Sequence, residues 1–402
     1  MTALPTLSGL SAFSGRGAGT DSERRAAKWL AGELALGRGR TRIETFWCRP
    51  NWALAHSWHV LLGLAGSLVS VGSPRVGGAL ILVALLSLIA DATTGHSLGR
   101  RLTPERASQN VIFTPGPAQK GSPVRLILTS YLDAGRVGLM FRAPPRNAAA
   151  RLRELTHGLF PGWLGWLAIA LICLEGIAVA RLDGSTGTAI GLAQLVPTVM
   201  LVLALALLLE HGTADFGPGA GDNASGVAAA VGITRALSAG LPGHATVELV
   251  LQGAGEGSAI GLRRYLRARK RDLTPSSAVV LGISPCTSGA PRWWVSDGQL
   301  VPRRYFGALR GLAATVASEA PHLGAQPVRS RGGSPALPAA GRLPALAVGM
   351  LDPHGLVPGS HTRADTVDHV DPASIDRAVE FGLLLVDAVD AHLGRRRAPT
   401  PG

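Results

Sequence analysis

Charge is scarce in this sequence. Only 16% of its 402 residues are charged, where a soluble domain carries about 25%. Acids are the scarcer sign, with 26 Asp+Glu against 39 Lys+Arg and a net charge of +13. Cysteine is also rare: Cys48, Cys173 and Cys286 stand singly, which excludes a disulfide scaffold. Residues 1–19 lack a charged start and an apolar core, so no signal peptide is expected. No basic motif interleaved with aromatics is present, so nucleic acid is not an expected partner. What the chain has in excess is apolar surface. It is 47% hydrophobic with 52 further glycines, and its mean hydropathy of +0.25 excludes disorder. A chain both basic and apolar points to a membrane protein with a sizeable water-facing part. Its length allows about two or three domains.

The apolar excess sits in four stretches arranged as two pairs: 52–72 with 77–90, and 159–180 with 188–209. A spanning helix needs about 20 mostly apolar residues, which the third and fourth stretches supply. The first carries His56 and His59, and the second stops short at Asp91. Trp52, Trp58, Trp163 and Trp166 lie near segment ends, where interfacial anchors are expected. The alternative is that one pair is a buried helical hairpin of a soluble core. Two spanning hairpins leave every long polar segment on one side. That side carries Arg100, Arg101, Arg106, Arg142, Arg146, Arg151 and Arg153, against Arg75 and Arg181 in the opposite connectors. The arginine bias predicts a cell-membrane protein with its soluble domain and both termini in the cytoplasm. Glu175 lies within the third stretch, where a carboxylate is functional by default unless it reaches the interface.

Without the hairpins, helix and strand patterns alternate. Thr20 and Glu23 form a capping box before a helix with Ala27, Leu30, Ala31 and Leu34 on one face. Strands are expected at 43–48, 110–114, 124–130, 246–251 and 278–283, a further apolar run stands at 344–350, and helices are expected at 224–237, 259–269 and 375–393. This order predicts an α/β domain, a sheet covered by helices on both faces. The expected divisions are 1–51, 93–158 and 211–393 for this domain, 52–92 and 159–210 for the hairpins, and 394–402 for a disordered tail. Arg263, Arg264, Arg267, Arg269, Lys270 and Arg271 form a basic helix end, read as a solvated face or a contact to anionic membrane lipids. Trp293 and Trp294 would either rim a cleft or dip toward the membrane.

The motif that carries chemistry is GPGAGDNASG at 217–226. A carboxylate on a glycine-rich turn before a helix either coordinates a metal or caps the helix, and Asp222-Asn223 read alone favours the cap. The pieces around it decide otherwise. Asn110-Val111-Ile112, the LILTSYLD run ending in Asp133, the Asp222-Asn223 loop, the block TVELVLQGAGEGSAIGLRRYL and SHTRADTVDHVD with His361 follow one another in order. Together they resemble metallopeptidase family twenty-eight, the co-catalytic di-zinc aminopeptidases and carboxypeptidases, over residues 20–48 and 110–393. The resemblance implies a zinc-exopeptidase-like mixed sheet, here interrupted by two transmembrane hairpins. It also implies zinc chemistry in which two ions clamp a water and a non-ligand Glu takes its proton.

Carried over residue by residue, the resemblance implies a degenerate site. The first ligand His is Tyr131, although the orienting Asp133 remains. The bridging Asp is Asp222, the base Glu falls on Gly255, the ligand Glu is Glu256, the ligand Asp falls on Gly282, and the last His is His361. One zinc loses both Tyr131 and Gly282. The other keeps Asp222, Glu256 and His361, enough for one ion with an open position. His211, His354 and His369 are potential replacement ligands. The expected function is a catalytically impaired domain that binds peptide or N-terminal amine ligands or acts as a scaffold. The alternatives are an active single-metal aminopeptidase and a membrane transport or assembly factor.

Overall fold

The computed structural model describes residues 3–116, 124–158 and 160–397. Its centre is a nine-stranded mixed sheet ordered β1-β2-β4-β3-β5-β9-β6-β7, with β8 paired to β6. The strands are β1 (Gly39–Cys48), β2 (Arg106–Pro115), β3 (Val124–Tyr131), β4 (Ala245–Gln252), β5 (Ala278–Cys286), β6 (Ala290–Asp297), β7 (Arg303–Arg304), β8 (Gln326–Arg329) and β9 (Ala345–Leu351). The central strands β4, β3, β5 and β9 are parallel. Their sequences are near-continuous apolar runs because both of their faces are covered. β1 and β2 pair antiparallel over ten residues at one edge, and the polar alternation of β1 leaves one face in solvent. All five expected strands are present, and the apolar run at 344–350 forms most of β9. β6 to β8 have weaker patterns and were not anticipated.

Helices cover the sheet as expected of an α/β domain. The Ser225–Leu237 and Pro372–Arg397 helices pack on each other and on the central strands, and Ile260–Ala268 packs on β2 and β4. The capping box forms: the Thr20 hydroxyl accepts from the Glu23 N–H at 3.1 Å. Glu23 does more than cap. Its carboxylate accepts from Gly19 N–H at 2.7 Å, Ser108 hydroxyl at 2.8 Å and Ala254 N–H at 2.9 Å, which ties the Asp21–Ala35 helix to the turn after β4. Thr20→Ala is expected to lower stability by about 1 kcal/mol, read as a small fall in the thermal unfolding midpoint. Of the tail expected to be disordered, 394–397 instead continues the final helix, and 398–402 lies outside the described residues.

Four long apolar helices stand apart from the sheet: Trp52–Ser70, Pro74–Thr94, Trp163–Leu182 and Thr188–Thr213. Each is long and apolar enough to cross a bilayer. They form two hairpins that pack together around their own apolar core, which includes Val60, Ile81, Leu88, Leu171 and Leu201. Their remaining faces expose Leu82, Leu86, Ile172, Leu195, Val196 and Leu203. The second helix does not stop before Asp91; it runs through it. Asp91 is buried and receives two 2.7 Å hydrogen bonds from Arg100, so the apolar run continues with its one carboxylate paired. His56 and His59 are buried too, bonded to each other at 3.2 Å, and His59 bonds Ser87 at 2.9 Å. Polar residues also join the two hairpins at the end remote from the sheet. The Gln194 amide donates to the Ser67 carbonyl at 2.6 Å, and Arg181 donates to Gln194 at 2.8 Å.

Candidate metal centre

The site lies beyond the C-terminal ends of β3, β4 and β5, where open α/β sheets leave a crevice for ligands. Three segments converge there. Glu256 follows β4, Asp222 lies in the tight turn Ala220–Ala224 before the Ser225–Leu237 helix, and His361 lies in the loop between β9 and the last helix. One ligand atom from each of the three lies within 4.8 Å of the others. His361 Nε2 is 3.4 Å from Asp222 Oδ2 and 3.3 Å from Glu256 Oε1. The Asn223 amide donates to the other Glu256 oxygen at 3.3 Å. His361 Nδ1–H donates to the Arg136 carbonyl at 3.0 Å, which turns Nε2 toward the carboxylates, as in a ligand histidine held by an outer partner.

The charges of the cluster are coupled. Burial would lower the His361 pKa, but the Asp222 and Glu256 carboxylates beside it raise it to about 10. Burial raises Asp222 to about 7, against the pull of His361. Burial also opposes ionisation of Glu256, yet the neighbouring His361 keeps its pKa below the ordinary value. A single imidazolium thus sits where a cation is wanted, and a divalent ion would take the place of its proton.

The expected helix cap at Asp222 does not form. No side chain caps the Ser225–Leu237 helix. The Asp365 carboxylate instead accepts from Gly221 N–H at 2.7 Å and Asp222 N–H at 3.2 Å, which frees the Asp222 side chain for the cluster. Sequence reasoning assigned Asp365 no role, although it lies in the His361 motif. Asp365→Ala is expected to cost about 1–2 kcal/mol of stability and to weaken zinc binding roughly tenfold by loosening the turn, readable by unfolding and by chelator competition. Arg16 was missed outright. It is fully buried and donates to the carbonyls of Leu10, Leu132 and Gly219 at 2.8–2.9 Å, joining the end of β3 to the Asp222 loop. Nothing in its local sequence marks it.

The positions at which the resemblance implies lost ligands, Tyr131 and Gly282, and the base position Gly255 are closely packed. The Tyr131 hydroxyl donates to the Gly333 carbonyl at 3.0 Å. Its ring occupies the space of a side chain at 255: a Cβ there would lie 2.2 Å from Tyr131 Cδ1. A Cβ at Gly282 would lie 2.6 Å from the Ala336 backbone nitrogen. Asp297 accepts from Ser334 N–H at 2.7 Å, and Gln252 donates to the Pro335 carbonyl at 2.9 Å, so residues 333–336 are held over the vacated ligand positions. The retained Asp133 accepts from Gly255 N–H at 2.7 Å and Glu256 N–H at 3.1 Å; it orients the ligand loop. The donor set fits one metal ion. It does not fit two.

Of the replacement histidines, His354 and His369 are exposed, on Glu154 at 3.4 Å and Thr366 at 3.0 Å. His211 is close, its ring 5.8 Å from that of His361, but its Nδ1 bonds the Val137 carbonyl at 3.1 Å and it is not among the clustered ligands. The cleft holding the cluster has a volume of about 310 Å³. Trp52 and Trp163 line it, their rings 5.0 Å apart and tilted by 44°, so these two tryptophans wall the cleft instead of facing outward as anchors. Phe141 stacks on His361 at 4.1 Å. Trp294 lines the same cleft, whereas Trp293 stacks on Phe381 in the core; neither lies on an exposed surface.

This architecture is that of zinc-dependent exopeptidases, and residues 209–386 match Peptidase family M28. Among solved structures, a Zn-dependent exopeptidase from Parabacteroides distasonis superposes with a TM-score of 0.53 at 13% identity, covering 96% of each chain. LapB from Legionella pneumophila gives a TM-score of 0.53 at 10% identity, covering 97% of this chain and 71% of that one. Glutaminyl cyclase from Tannerella forsythia gives 0.51 at 14% identity, covering 96% and 97%. At these identities the likeness is one of fold. No curated protein matches by sequence.

Proposed function

We propose that the chain is a multi-pass membrane protein whose peptidase-like domain holds one divalent ion at Asp222, Glu256 and His361 and binds peptide or N-terminal amine ligands with little or no hydrolysis. The observation that carries this reading is the interlock of Tyr131, Gly255 and residues 333–336, which fills the second metal position and the place of the base. A bound zinc would supply Lewis-acid polarisation of a ligand amine or carbonyl. Among the described residues, no carboxylate stands free in the place where the resemblance puts the base, which is Gly255. Burial, with the Glu256 charge adding to it, pushes the Tyr131 phenol well above its usual pKa, so it remains a donor to Gly333. Asp133 is engaged by two backbone N–H groups. The aromatic walls from Trp52, Trp163, Phe141 and Trp294 suit an apolar ligand side chain.

The test is metal content with hydrolysis. One zinc per chain and no cleavage of aminoacyl anilides above the level of His361→Ala is expected. Two zincs per chain with cleavage abolished by His361→Ala would sink the reading. A second reading, a single-metal hydrolase, is favoured by His211, which lines a cavity together with Glu256. It predicts cleavage lost in His211→Ala with zinc retained. For orientation, the arginines flanking the hairpins support a cytoplasmic domain, and a C-terminal reporter active only outside the cytoplasm would refute it.

A further inference from the structure

Where the first hairpin rejoins the sheet, six arginines line one pocket of about 180 Å³: Arg49, Arg100, Arg101, Arg263, Arg264 and Arg267. They come from three separate parts of the chain, so no single sequence run announces them as a group. Their partners leave the charge uncompensated. Arg100 is neutralised by Asp91, and Arg49 lies 3.9 Å from the exposed Glu105. The others meet neutral atoms: Arg263 donates to the Ser258 and Thr93 carbonyls at 3.0 and 3.1 Å, Arg264 to the Trp47 carbonyl at 2.8 Å, and Arg267 approaches His96 Nε2 at 3.4 Å. Arg101 has no side-chain hydrogen bond or ion pair among the described residues. Carbonyl partners orient a guanidinium without cancelling its charge. Two carboxylates for six guanidiniums leave four positive charges around a cavity of phosphate size. Burial, reinforced by the Arg303 and Arg100 charges, lowers the Arg263 pKa to about 10, as crowding of like charges requires.

The surroundings say where the anion comes from. The pocket opens beside Thr94, the last residue of the Pro74–Thr94 helix. Trp47, Leu98 and Leu102 stand exposed around it, an apolar rim next to a polyvalent cationic hole. We propose that this pocket binds the phosphate of an anionic membrane lipid, with the acyl chains lying over Trp47, Leu98 and Leu102 against the first hairpin. Arginine forks match phosphate oxygens bidentately, and the apolar rim gives a lipid an advantage that free phosphate lacks. The inference rests on the membrane reading above and adds to it a specific headgroup site.

The test uses the full chain in neutral detergent, titrated with dihexanoyl phosphatidylglycerol, dihexanoyl phosphatidylcholine or inorganic phosphate, and read as the thermal unfolding midpoint. A saturable rise with phosphatidylglycerol alone is expected. The double variant Arg101→Gln/Arg267→Gln, both exposed and outside the Asp91 pair, should raise the half-saturating concentration tenfold or more. The charge-matched variant Arg40→Gln/Arg271→Gln should leave it unchanged. Equal loss in both variants means diffuse surface charge and overturns the site. An equal rise with inorganic phosphate overturns the lipid as its occupant. No rise with any probe overturns the pocket. Alkaline carbonate extraction of cell membranes reads the underlying membrane reading separately. Release of the chain fails both, whereas retention without selective lipid binding fails the pocket alone.

Discussion

Replacing His361 by Ala should lower zinc affinity about 100-fold or more, because a ligand is worth at least what its outer partners are. The remaining Asp222 and Glu256 would then face each other without a cation between them. In the intact protein the affinity should also rise steeply with pH. His361 is held protonated up to about pH 10 and Asp222 up to about pH 7, so each proton that zinc displaces adds roughly tenfold per pH unit. Competition with a chelating dye at pH 6, 7 and 8 measures both effects, and in His361→Ala the slope should flatten. A pH-independent affinity, or one indifferent to His361, would contradict the site. The sign for the metal-free protein is opposite. A folded pKa of about 10 against 6.5 gives stability that is full below pH 6.5 and lost as pH rises through 10.

The second large effect is a failure of restoration. Gly255→Glu, which puts back the base, should destabilise the domain by about 3 kcal/mol and produce no activity. The new Cβ meets the Tyr131 ring at 2.2 Å, and that ring is buried and tethered to Gly333 at 3.0 Å. Tyr131→His/Gly255→Glu should recover part of the loss, with a coupling of about 1–3 kcal/mol, since imidazole is smaller than the phenol ring. Gly282→Asp should be at least as damaging as Gly255→Glu, and Tyr131→His should not rescue it, because its clash is with Ala336 backbone. Thermal unfolding of the five variants decides the matter. A Gly255→Glu protein as stable as the parent would show that the positions are independent. Tyr131 and Gly255 are thus one repacked unit: with the Tyr131 ring in place, a side chain at 255 is excluded sterically.

The hairpins bear on this site directly. They contribute Trp52, Trp163 and His211 to its walls, and the buried Arg100–Asp91 pair fastens the first of them to Ser258, two residues from Glu256, at 3.0 Å. The bundle and the cleft therefore share side chains.

Much of this was legible in the sequence for local reasons. The central strands announced themselves because a buried parallel strand must be apolar throughout, and four long helices because their length and composition admit few other structures. Asp222, Glu256 and His361 could be named from motif order, as could the absences at Tyr131, Gly255 and Gly282. Tertiary structure alone decided the rest. Asp222 was ambiguous between cap and ligand until Asp365, 143 residues away, took the backbone N–H of both Gly221 and Asp222. The missing charge noticed at the outset proved unevenly placed: two scarce acids clamp an imidazolium, while six arginines from separate segments share one pocket. Local pattern specifies which residues are present and which faces they take. Compensation, steric exclusion and charge crowding depend on distances between segments far apart in the chain, and those distances exist only after folding.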